Sequence, residues 1–95
     1  MKPWPKLIEA RPLDGYRLRL TWADGFVGAV DFTATVAKGG IYAFMRDPVR
    51  FAAVQVGPSG SSLVWIDDED DEIDFCADAQ RMAAETRAVA NLAAE

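Results

Sequence analysis

Apolar and polar residues alternate most strictly over residues 16–22, where Tyr16, Leu18, Leu20 and Trp22 fall on one side and Arg17, Arg19 and Thr21 on the other. A period of two is that of a half-buried β-strand, so the first set predicts a core face and the second a solvent face. Ala23-Asp24-Gly25 then supplies a turn, because Asp-Gly tolerates the positive φ angles of a tight hairpin, and residues 26–31 return as the next strand. Upstream, residues 7–13 read as a short first strand, with Pro12 confined to an edge or an end.

Further along, the pattern loosens into short helical turns over residues 32–38, 41–46 and 49–51, punctuated by Gly39-Gly40 and Asp47-Pro48. Residues 53–56 and 62–66 are β-rich runs joined by the loop Gly57-Pro58-Ser59-Gly60-Ser61, which predicts a second antiparallel hairpin. Residues 75–95 contain no Gly or Pro and place Phe75, Ala79, Met82, Thr86, Val89 and Ala93 at helical spacing. They predict a C-terminal helix with Asp74 as its N-cap and a thin Ala-rich face open to three outcomes: loose docking on the sheet, fraying at its end, or close packing against another helix. The expectation is an α+β domain: one antiparallel sheet built from two β-hairpins plus a short N-terminal strand, helical turns between the hairpins, and one C-terminal helix.

At 95 residues, there is room for one domain and one modest core. No apolar run approaches the roughly 20 residues needed to cross a bilayer, and the first residues lack a signal-peptide apolar stretch, so a soluble cytoplasmic protein is expected. The single cysteine, Cys76, forms no intramolecular disulfide and reads as a small buried residue near the helix start.

The net charge of −5 is unevenly spread. Seven acids lie in residues 67–74, and the remainder of the chain has ten basic against eight acidic residues. This pictures a nearly neutral body with one acidic loop: Asp67, Asp68, Glu69, Asp70, Asp71 and Glu72, the candidate surface for a protein partner.

The chain has no histidine, so with one cysteine it lacks a zinc-ligand set, a Cys-His pair and a Ser-His-Asp triad. Paired carboxylates need burial to raise one pKa, and a run of solvated acids is the wrong environment. Nor does the acidic run fit a calcium loop: counted from Asp67, the position needing Gly holds Glu72 and the position needing bidentate Glu holds Asp78. The segment 57–62 lacks the Lys of a phosphate loop. No catalytic residue, cofactor or dedicated metal site is therefore expected, and the chain is read as a non-enzyme. Lys6, Arg11, Arg17 and Arg19 form an alternative basic face for nucleic acid, against which the acidic balance argues. Of the tryptophans, Trp22 and Trp65 read as core and Trp4 as the candidate for exposed contact. Open sheet edges and the Ala-rich helix leave self-association open.

Trp22-Ala23-Asp24-Gly25, Val30-Asp31-Phe32, Gly40-Ile41-Tyr42, Met45-Arg46-Asp47-Pro48 with Phe51, Val54 through Trp65, and the acid-rich 67–75 resemble, in order and spacing, the small bacterial proteins grouped as domain of unknown function 2442. The resemblance covers about residues 7–76. It implies an α+β domain without an assigned activity, catalytic residue or cofactor. It also implies, for some relatives, an added helix-turn-helix or a neighbouring gene in a toxin–antitoxin arrangement. Residues 75–95 suffice for one helix rather than a helix-turn-helix. The expectation is a non-catalytic interaction module, antitoxin-like, with one protein partner; the alternative is a nucleic-acid-associated regulator.

Overall fold

A computed structural model describes residues 5–94, with side chains as far as Thr86. Trp4 lies outside the described residues. Strands β1 (Leu7–Leu13), β2 (Arg17–Trp22) and β3 (Val27–Asp31) form one antiparallel sheet in that order. A connecting region follows, made of helix α1 (Thr33–Ala37), a 3-10 segment (Gly40–Arg46) and helix α2 (Pro48–Ala52). Strands β4 (Gln55–Val56), β5 (Ser62–Ile66) and β6 (Glu72–Cys76) make a second antiparallel sheet, and helix α3 (Ala77–Ala94) ends the described chain.

The α+β class holds, but the strands form two three-stranded sheets where the sequence predicted one. The added strand is β6. Its Ile73 and Phe75 alternate with Glu72, Asp74 and Cys76, and lie opposite Trp65 and Leu63 of β5. Burying Ile73 and Phe75 against that strand outweighs the helix preference that the Ala-rich segment would extend back to them, so α3 starts at Ala77 rather than Phe75. Asp74 is accordingly a strand residue opposite Val64, not an N-cap. Cys76, expected to be buried, is exposed on the outer side of β6 opposite Ser62.

One hydrophobic cluster joins both sheets. Leu18, Leu20, Trp22 and Val30 come from the first and Leu63 and Trp65 from the second, with Phe32, Met45 and Phe51 from the connecting region. Phe32, Phe51, Trp65 and Phe75 pack ring to ring with centroids 5.1–6.2 Å apart. The sheets also touch at Gly60, whose φ is +69° and where a Cβ would stand 2.4 Å from the Leu7 carbonyl oxygen. Only glycine fits there. Among the described residues no helix is long and apolar enough to cross a membrane.

Helix α3 packs against β3, and its buried residues Ala77, Arg81 and Ala84 fall on the one face that spacing of four and three selects. The predicted face is displaced: Met82 is 59% exposed and Ala79 is also exposed. The chosen face allows the closest approach, because Gly28 has no side chain where a Cβ would lie 2.9 Å from that of Ala84.

Candidate functional site

The acidic run folds into the β5–β6 turn, and its members play different parts. Asp67 closes the turn: its Oδ1 accepts from the backbone N–H groups of Glu69 and Asp71, each at 2.9 Å, while its own N–H donates to the Asp71 carbonyl at 2.9 Å. Asp70 takes the left-handed corner, with φ 62°. Asp68 is ion-paired with Arg50 of α2, whose guanidinium also donates to the Ile66 carbonyl at 3.4 Å and lies 5.7 Å from the Phe44 ring centroid. Glu72 is on the outer side of β6, opposite Ile66.

Between this turn and the 3-10 segment runs a groove of about 390 Å³. The acidic residues Asp67, Asp68, Glu69 and Asp71 line one side of it, and Ile41, Phe44 and Ile73 supply its apolar lining. Ile41 is 63% exposed there, an apolar side chain left beside a row of acids. Of the six acids picked out from the sequence, four thus line one groove, and Asp70 and Glu72 do not. Among the described residues no group of three or more His, Cys, Asp or Glu is placed to hold a metal ion.

The basic candidates are divided as well. Register places Arg11 of β1 directly opposite Arg19 of β2, with Arg17 two residues along the same face. Lys6 stands apart, ahead of β1, where its carbonyl accepts from the Ala23 N–H at 2.8 Å and its Cβ lies close to Gly60.

Sequence reasoning missed Arg81. It is 7% exposed and donates from Nη1 and Nη2 to both oxygens of Asp24, at 3.1 and 2.9 Å, and from Nε to Glu85 at 2.8 Å. Its guanidinium carbon lies 4.2 Å from the Phe26 ring centroid and 5.3 Å from that of Trp22. The Arg81 hydrogen bonds hold the Asp24 carboxyl below its ordinary value, against the opposing effect of burial. Donation to Asp24 raises Arg81 in turn, with Glu85 adding to it. An (i, i+4) Arg–Glu pair was visible in the sequence, but such pairs are usually solvated. The clamp fastens α3 to the β2–β3 turn.

The family model for "Protein of unknown function (DUF2442)" matches residues 7–75. The chain belongs to the DUF2442 family. The match takes in both sheets but ends before α3, so Asp24 lies inside it and Arg81 outside. The fold is also similar to a crystal structure from Nitrosomonas europaea named "Putative DNA Binding Protein", with TM-score 0.74 and 34% identity over 90% of this chain. The DUF2442 chain covers 52% of that longer protein. No curated protein matches the chain.

Proposed function

We propose that this DUF2442 domain is a non-catalytic protein-interaction module whose acidic groove receives a basic, partly apolar segment of one protein partner. The observation that carries the reading is the groove itself: four acidic residues beside the exposed Ile41 and the side chains of Phe44 and Ile73. Charge would steer a basic segment in, and the apolar lining would hold it. Arg50 pairs with Asp68 and so keeps one carboxylate in place on the groove. In this reading the module works in the cytoplasm, with no cofactor, and an antitoxin-like member of a two-protein system is the expected setting.

The test is capture by the tagged chain from native lysate at low and moderate salt, alongside the triple variant Asp68→Asn, Glu69→Gln and Asp71→Asn. Asp67 is kept because it closes the turn. A single stoichiometric protein that is lost both as salt rises and in the triple variant supports the reading. A partner bound equally by the variant, or nothing reproducible, sinks it.

A second reading, a nucleic-acid-associated regulator, is favoured by the name of the Nitrosomonas europaea protein and by the arginines on the first sheet. A gel-shift titration at low salt that finds no complex at high protein concentration would remove it.

A further inference from the structure

We infer that the outer face of the first sheet carries an anion site, Arg11 and Arg19 with Arg17 beside them, that holds the phosphate backbone of a nucleic acid. This site rests on the second reading above and gives it residues.

Direct cross-strand neighbours in an antiparallel pair have Cβ atoms about 4.5–5.5 Å apart, and like charges so placed are destabilising. Arg11 and Arg19 occupy such positions, both exposed. Neither side chain makes a hydrogen bond or ion pair with another described residue. Two unneutralised guanidinium groups are therefore held side by side, an arrangement that an oxyanion relieves, since the planar fork matches phosphate oxygens two at a time.

Arg17 extends the row by about 6.7 Å, two residues of strand rise. Its Nε donates to the Asp14 carbonyl at 3.0 Å, which fixes the stem and leaves the Nη groups at its end to reach an anion. On β3, Ala29 lies opposite Arg19 and is too small to obstruct it. Two acids share this face. Asp31, opposite Arg17, accepts from the Thr33 N–H at 2.8 Å; Glu9 sits one row from Arg11, opposite Thr21. By register the strands place Leu13, Thr21, Val27 and Ala29 on the rest of the face, with the exposed Ile8 at the register shift of β1, and none of these is an aromatic ring on which a base could stack. The chemistry fits backbone contact without sequence readout.

Three arginine–phosphate contacts on duplex DNA give log K against log salt a slope of about −2 to −3, and each contact removed lowers its magnitude by about one. Fluorescence anisotropy of a labelled duplex, titrated with the full chain across a low-salt series, reads this directly. Arg11→Gln and Arg19→Gln should each reduce the slope by about one, and the lysine variants Arg11→Lys and Arg19→Lys should keep it. Lys6→Gln should leave it unchanged. The glutamine variants should melt no lower than the parent, because a like-charge pair is removed. Binding that persists with the same slope in the Arg11→Gln/Arg19→Gln double variant overturns the site while leaving the nucleic-acid reading standing. No binding at high protein concentration and low salt overturns both.

Discussion

Each sheet buries a tryptophan from its central strand, Trp22 in β2 and Trp65 in β5, and the two are held in different ways. Trp65 Nε1 donates to the Phe51 carbonyl at 2.9 Å, and its ring packs against Phe32, Phe51 and Phe75. Trp22 is equally buried, yet among the described residues its Nε1 has no hydrogen-bond partner, and the groups over it are Phe26 and the Arg81 guanidinium. The second sheet is locked into an aromatic cluster with its polar atom satisfied. The first is closed on its helix side by an ion pair laid across two rings. Cations and rings attract, but a clamp whose carboxylates remain partly open to water is weaker and more adjustable than apolar packing.

The largest test of this contrast is to truncate both tryptophans. Trp65→Ala and Trp22→Ala should each cost about 3–5 kcal/mol, since both lose a buried ring. Phenylalanine should separate them: Trp65→Phe leaves the Phe51 carbonyl unsatisfied and should cost about 1–3 kcal/mol more than Trp22→Phe, which breaks no hydrogen bond. Urea midpoints of the four variants give both comparisons, and equal costs for the two phenylalanine variants would erase the distinction.

Next in size is Gly28→Ala, at about 1–3 kcal/mol, because the new methyl group meets Ala84 and Phe26 and must push α3 away. Arg81→Ala should cost about 2 kcal/mol through the lost charge-assisted hydrogen bonds and ring contacts. In both variants amide exchange should quicken in α3 first, with β5 remaining protected; uniform quickening would mean that α3 is integral to the core.

Acid should act on the first sheet through the same clamp. Because the folded state holds the Asp24 carboxyl below its ordinary value of 3.8, its contribution is complete above that pH and fades as pH falls through the lower folded value. Asp24→Asn should remove this component of the acid sensitivity, read as a flatter dependence of the melting temperature on pH below about 5. The smallest effects are expected in the acidic turn. Asp67→Ala should cost about 1 kcal/mol by freeing two backbone N–H groups, while Asp68→Asn, whose ion pair is exposed, should fall within about 0.5 kcal/mol.

The first sheet was the more legible in the sequence. Strict alternation over residues 16–22 and the Asp-Gly turn left little choice of strand, face or hairpin partner, and β5 appeared with its observed limits. The last strand was obscured because the alternation of Ile73 and Phe75 is embedded in acids that read as a loop, next to a segment with strong helix preference. Arg81 was hidden for a related reason: a charge in an Ala-rich helix reads as solvent-facing until the Asp24 turn is brought beneath it. The acidic groove required knowing where the 3-10 segment lies. The Arg11–Arg19 pair required knowing that β1 folds back directly on β2 through the turn at residues 14–16, from which the register runs unbroken to that pair.

The contact at Gly60 bears on how the chain reaches this state. It seats a loop of the second sheet against the Leu7 carbonyl of the first, and those residues come from opposite halves of the chain. Such closure forms late in folding, after a long loop has been drawn in, and until then Leu18, Leu20 and Trp22 face water on one side and Leu63 and Trp65 on the other. Neither sheet is therefore expected to fold on its own. A chain severed between α1 and the 3-10 segment should yield two halves that are unfolded apart and regain one cooperative transition only when mixed.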